Sequence, residues 1–169
     1  YKMSINISTS SCAYGRNMLE VLDDLIINYN AQHIELAIGP KATNSIVVLC
    51  GIEEYIDQGV SFSAHANFAL KKHYNQERNF KEIIADCKSL GITNYSVHAP
   101  RKSHINTWDK FVFWFAEKKE YAASWGINLA IETMYTTPDN QAPYWFNSFA
   151  DLCSLLYEAD KYSWNDFII

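Results

Sequence analysis

Three residues whose types suit metal or proton chemistry recur along this chain at nearly constant spacing. His65 lies 33 residues before His98, and Glu132 follows His98 by 34. Two imidazoles and a carboxylate are ligand types for Zn²⁺, Mn²⁺ or Mg²⁺. Such a site stays open to substrate if no further ligand arrives, as metal catalysis requires. Glu132 is the leading candidate, because an inward-facing carboxylate needs a partner to offset its desolvation. Glu35 shares the expected geometry on an earlier strand, where it either contacts a ligand or forms a salt bridge with a neighbouring Lys or Arg. Arg101 and Lys102 follow His98 closely enough to meet an anionic group. His33, His73 and His104 fall at a strand start or in loops and read as solvated. Tyr144, Trp145 and Phe146 form an aromatic cluster that reads as helix packing rather than as a pocket cap.

The elements that must position these residues alternate. Strands are predicted over Ser4 to Ser8, His33 to Ala37, Val60 to His65, Asn94 to His98 and Asn128 to Glu132. Helical stripes lie between them: Met18 to Tyr29, a short helix over Ile52 to Asp57, Phe80 to Leu90, and Trp108 to Trp125 behind a Thr107 N-cap. Gly59, Gly91 and Gly126 stop three of them. A last helix covers about Ser148 to Ala159, and Asp166 to Ile169 reads as the opening of a sixth strand. This alternation predicts parallel βαβ units in one domain over residues 1–169.

Each strand also carries a polar lane, since side chains alternate between faces. Ser4, Asn6 and Ser8; Glu35; Ser61, Ser63 and His65; Asn94, Ser96 and His98; and Asn128, Ala130 and Glu132 share one face. The other face carries Ile34, Leu36, Phe62, Tyr95, Val97, Leu129 and Ile131. A doubly wound sheet would be apolar on both faces. A barrel with a polar interior and a functional rim at the C-terminal strand ends explains the lane better.

The chain has 169 residues, short of the about 250 of a complete eight-stranded (β/α) barrel. The fold expected is therefore an incomplete barrel of about five βα units and the start of a sixth strand. The net charge of −5, with only isolated basic pairs, argues against a nucleic-acid partner. No apolar run reaches 18 residues, so no membrane partner is expected. Cys12, Cys50, Cys87 and Cys153 are widely spaced, which suits reduced thiols in a cytoplasmic protein.

The segments Ile34-Glu35-Leu36, Ser63-Ala64-His65-Ala66-Asn67-Phe68, Val97-His98-Ala99-Pro100 and Ala130-Ile131-Glu132-Thr133 stand in register. Together they resemble the xylose-isomerase-like TIM-barrel superfamily, over essentially the whole chain. The resemblance implies a metal-dependent sugar or sugar-phosphate isomerase or epimerase acting by proton transfer next to a carbonyl. Glu132 would bind the divalent ion beside the reacting carbon, while His65 and His98 would be metal ligands or line the substrate pocket; the places of Glu35 and Arg101 at the strand ends add them as candidate substrate contacts. Two other readings follow. One is an endonuclease IV-like abasic-site repair enzyme. The other is a non-catalytic partial barrel whose open edge is covered by a second copy or a complementing chain. In the family, further ligands come from strands six to eight, of which only the opening of strand six is read here.

Overall fold

The two faces of each described strand segregate as the lanes require. The protein is described by a computed structural model covering residues 18–38, 45–66, 77–132, 144–146, 148–162 and 164. The expected strands at Ser4 to Ser8 and Asp166 to Ile169, with His73 and Cys12, lie outside the described residues. The elements run α1 (Met18–Tyr29), β1 (His33–Ile38), α2 (Ser45–Asp57), β2 (Ser61–Ala66), α3 (Glu77–Ser89), β3 (Asn94–His98), α4 (Trp108–Ser124), β4 (Asn128–Glu132) and α5 (Phe149–Lys161). The four strands form one parallel sheet in the order β1-β2-β3-β4. Sequential strands joined by helical crossovers are the repeating unit of a (β/α) barrel.

Ile34, Leu36, Phe62, Ala64, Tyr95, Val97, Leu129 and Ile131 are all buried beneath the helices. The helices meet them with Leu22, Ile52, Ile84, Cys87, Phe111, Phe115 and Leu155, each at most 1% exposed. Burying a side chain of this size stabilises the fold by about 1.5–3 kcal/mol. The opposite lane is half-buried at Glu35, His65, Ser96, His98, Asn128 and Ala130. This sheet is therefore apolar on one face only, as the barrel reading expects.

Local signals set the helix ends. Thr107 adopts extended backbone and its hydroxyl accepts a bond from Lys110 N, while Ser148 does the same for Asp151 N. Gly91 ends the α3 turn at φ +67°, a conformation that side chains other than glycine disfavour. The helix α2 begins at Ser45 rather than Ile52. Its first turns contain Ile46, Val47 and Val48, β-branched residues that read weakly as helix from sequence. Gly51 lets α1 approach α2 closely, for a Cβ there would lie 2.5 Å from Leu19 Cδ2.

Beyond β4 no strand pairs among the described residues. Asn128 N donates to Thr93 O on the β3 side, so alternation turns the Leu129 carbonyl toward the open edge. The Lys119 ammonium of α4, 8% exposed, donates to that carbonyl at 3.3 Å and to Asn128 Oδ1 at 3.4 Å. A lysine thus occupies part of an edge that would otherwise invite strand pairing. No described helix is long and apolar enough to cross a membrane.

Candidate metal centre

Strand pairing determines which lane residues share a level. His98 and Glu132 are direct partners on β3 and β4. His65 pairs with Ser96, one pleat below them, and Glu35 pairs with Ser63, one pleat lower still. The even spacing in sequence suggests one level for His65, His98 and Glu132; the sheet instead arranges the four residues as a staircase. Stagger of this kind is what closing a barrel demands.

The side chains nonetheless converge. Glu132 Oε2 lies 3.0 Å from His65 Nε2 and 2.9 Å from His98 Nε2. The two imidazoles meet edge to face, with centroids 4.9 Å apart and planes at 69°. His65 and His98 are about one-fifth exposed and Glu132 is 45% exposed, so the cluster opens toward solvent on its carboxylate side. Burial pulls the His98 pKa below its ordinary 6.5, Glu132 pulls it upward, and His65 pulls it down again. The net direction favours the neutral ring that a metal needs.

The donor set fits a divalent ion. One ligand atom from each of His65, His98 and Glu132 lies within 4.8 Å of the other two. Metal–nitrogen and metal–oxygen bonds near 2.0–2.1 Å in a tetrahedron would separate ligand atoms by about 3.3 Å. Each observed nitrogen–oxygen pair has to open by only about 0.4 Å to meet that.

Glu35 reaches the cluster from below, its Oε1 3.4 Å from His65 Nδ1. His33 is a correction. It is half-buried, with Nδ1 2.9 Å from Ser61 Oγ and Nε2 3.1 Å from Ser63 Oγ. The signal was present, since His33 is two residues from Glu35 and so belongs to the same lane. His104 is exposed, as expected.

Arg101 lies three residues beyond His98 and is held by the loop after β4. Its Nη2 donates to Tyr144 Oη at 2.9 Å, and its guanidinium lies 5.0 Å from the Tyr144 ring centroid. Its backbone forms an antiparallel bridge with Tyr144, and Trp145 N donates to Pro100 O at 2.9 Å. Trp145 stacks on Phe111 and meets Trp108 edge-on, while its indole N–H reaches Ile105 O at 2.6 Å. Phe146 is fully buried. The aromatic cluster is helix packing, and through it the loops after β3 and β4 are joined. A separate cleft of about 730 Å³ lies between α4, the start of β4 and Trp164, lined by Phe113, Lys119 and Tyr162 among others. It contains none of the His–Glu cluster.

No protein-family model matches the chain, and no curated protein matches it in sequence. In structure it is similar to a D-psicose 3-epimerase from Clostridium cellulolyticum H10, solved with D-tagatose, at TM-score 0.66 and 9% identity, covering 92% of this chain and 60% of that one. It is also similar to an IolI protein with a bound zinc atom, at TM-score 0.66 and 15% identity, covering 96% and 61%. A xylose isomerase domain protein from Alicyclobacillus acidocaldarius matches at TM-score 0.59 and 11% identity, covering 96% and 61%. The chain thus spans about three-fifths of the structures it matches. Its parallel sheet, the order of its elements and these likenesses together give it the (β/α) barrel fold of these structures, in incomplete form.

Proposed function

We propose that the chain is part of a metal-dependent sugar or sugar-phosphate isomerase or epimerase that moves a proton next to a carbonyl. The observation that carries this reading is the convergence of two imidazole nitrogens on one carboxylate oxygen, at 3.0 and 2.9 Å, at the strand ends of a parallel sheet. One structural neighbour is an epimerase solved with a ketohexose and another holds zinc, which supports the same reading.

His65, His98 and Glu132 would hold the ion, which when bound polarises substrate oxygens and makes the adjacent C–H more acidic. Glu132 is the proton acceptor in this scheme, being the most exposed of the three and carrying a carboxylate. Neutral His98 keeps a lone pair for ligation. Arg101, oriented by Tyr144, is the group nearest in sequence that suits an anionic end of the substrate. Proton exchange would need only the ion and Glu132, whereas the full isomerisation belongs to the complete barrel, whose further strands, from a longer chain or a second copy, would join at the open edge of β4. The free thiols of Cys87 and Cys153 are in keeping with a cytoplasmic setting.

The test is exchange. The protein, with Mn²⁺ or Zn²⁺, is incubated in D₂O with ketohexoses, aldoses and their phosphates, and deuterium beside the carbonyl is followed by NMR. Exchange that disappears in a His65→Ala/His98→Ala variant is expected. No exchange with any of these sugars by metal-loaded protein would refute the proposal.

A further inference from the structure

We propose that Glu35 is a positioning residue for His65, holding the ring proton on Nδ1 and so reserving Nε2 for the metal. The inference rests on the metal reading above. The two nitrogens of His65 face two different carboxylates: Nδ1 is 3.4 Å from Glu35 Oε1 and Nε2 is 3.0 Å from Glu132 Oε2. A neutral imidazole carries one proton, and an ion binds the nitrogen that lacks it. With that proton on Nε2, it would point into the ion's place, while the Nδ1 lone pair would face the Glu35 carboxylate acceptor to acceptor. With the proton on Nδ1, Glu35 receives a donor, and the Nε2 lone pair, which lies 3.0 Å from Glu132 Oε2, is left for an ion held between the two. A carboxylate behind a ligating imidazole is a general means of fixing tautomer and ring orientation. At 3.4 Å the contact is long for a hydrogen bond, so its effect is orientation and charge rather than a strong bond.

The floor of the lane shows why Glu35 reaches that nitrogen. Glu35 starts one pleat below His65, opposite Ser63, and its long side chain spans the difference. The register that sets this offset is fastened by His33. The Ser61 hydroxyl donates to Gln32 O, so its one proton is used and it accepts from His33 Nδ1–H. The Ser63 hydroxyl then donates to His33 Nε2. His33 therefore bridges β1 and β2 through two bonds directly beneath Glu35. Glu35 is 27% exposed and His65 22%, so the pair is partly shielded from water.

The experiment compares wild type, Glu35→Gln and Glu35→Ala in Zn²⁺ titration calorimetry. Long-range ¹H–¹⁵N spectra of the metal-free proteins report which His65 nitrogen carries its proton, and thermal unfolding without metal serves as the folding control. Glu35→Ala is expected to weaken Zn²⁺ binding about 10–100-fold. The His65 proton should sit on Nδ1 alone in wild type and be distributed over both nitrogens in Glu35→Ala. Glu35→Gln, which keeps an acceptor oxygen but not the charge, should fall between, and it provides the comparison if the alanine variant does not fold. Wild-type binding with unchanged affinity and unchanged ring spectra in both variants overturns the role of Glu35 and leaves the metal reading standing. No Zn²⁺ binding by wild type overturns the metal reading and the Glu35 inference with it.

Discussion

Replacing Glu132 with Gln keeps the side chain's size and removes its charge, which separates a metal ligand from an ordinary ion pair. Without metal, the substitution weakens the contact to His98 Nε2 at 2.9 Å, since the His65 proton is assigned to Nδ1. A charge-assisted bond contributes about 1.5–3 kcal/mol when shielded. Glu132 is 45% exposed, so solvent screening reduces this to about 1 kcal/mol. For a domain of this size that lowers the melting temperature by about 2–4 °C. The effect on metal binding is larger. Losing a residue behind a ligand already costs about 10–100-fold, so losing a ligand should cost at least about 100-fold, or about 2.7 kcal/mol. At Zn²⁺ held at 100 times the wild-type Kd, wild type gains about 2.7 kcal/mol of stability, a rise of roughly 5–11 °C. Glu132→Gln would then meet the metal near its own Kd and gain only about 0.4 kcal/mol, roughly 1–2 °C. Thermal melts of both proteins with and without Zn²⁺ measure all four states. A variant whose zinc-induced shift equals that of wild type refutes the reasoning, whatever its stability without metal.

Three further outcomes follow from other parts of the structure. Burial lowers the His98 pKa from its ordinary 6.5, so the native state binds fewer protons than the unfolded chain around and below that pH. The stability associated with neutral His98 is complete above pH 6.5 and is lost as pH falls through the lower folded value. Urea midpoints should therefore drop between pH 7.5 and 5.5, and a His98→Asn variant retaining the full slope would contradict this. Cys87 is fully buried and its thiol is pushed up to about 12, chiefly by burial, whereas Cys153 is exposed. Peptide mass spectrometry after alkylation at pH 8 should find Cys153 labelled well before Cys87; equal rates would place Cys87 at the surface. Lys119→Met should bare the Leu129 carbonyl at the β4 edge and promote self-association in sedimentation velocity, and an unchanged profile would remove the edge-covering role.

The sequence was informative where a single strand or helix carries its own signal. Alternation in Asn94-Tyr95-Ser96-Val97-His98 reveals both faces of β3, and the stripe of Phe80, Ile83, Ile84, Cys87 and Leu90 marks the buried side of α3. Thr107 and Gly91 cap their helices as their types suggest. The sequence failed where a neighbour decides. The pleat offsets among Glu35, His65 and His98 depend on cross-strand register, which spacing along one chain does not encode. The helical start of α2 was hidden because Ile46, Val47 and Val48 are β-branched, and such residues read weakly as helix. His33 looked solvated at the edge of its strand, and only the parallel neighbour bearing Ser61 and Ser63 makes it part of the lane.

The central claim is that His65, His98 and Glu132 form one divalent metal site. Its most direct measurement is calorimetric titration of the purified chain with Zn²⁺ and Mn²⁺, beside a His65→Ala/His98→Ala variant. One ion per chain in wild type, lost in the variant, is the predicted result. Absence of saturable binding in wild type, or equal binding by the variant, would contradict it.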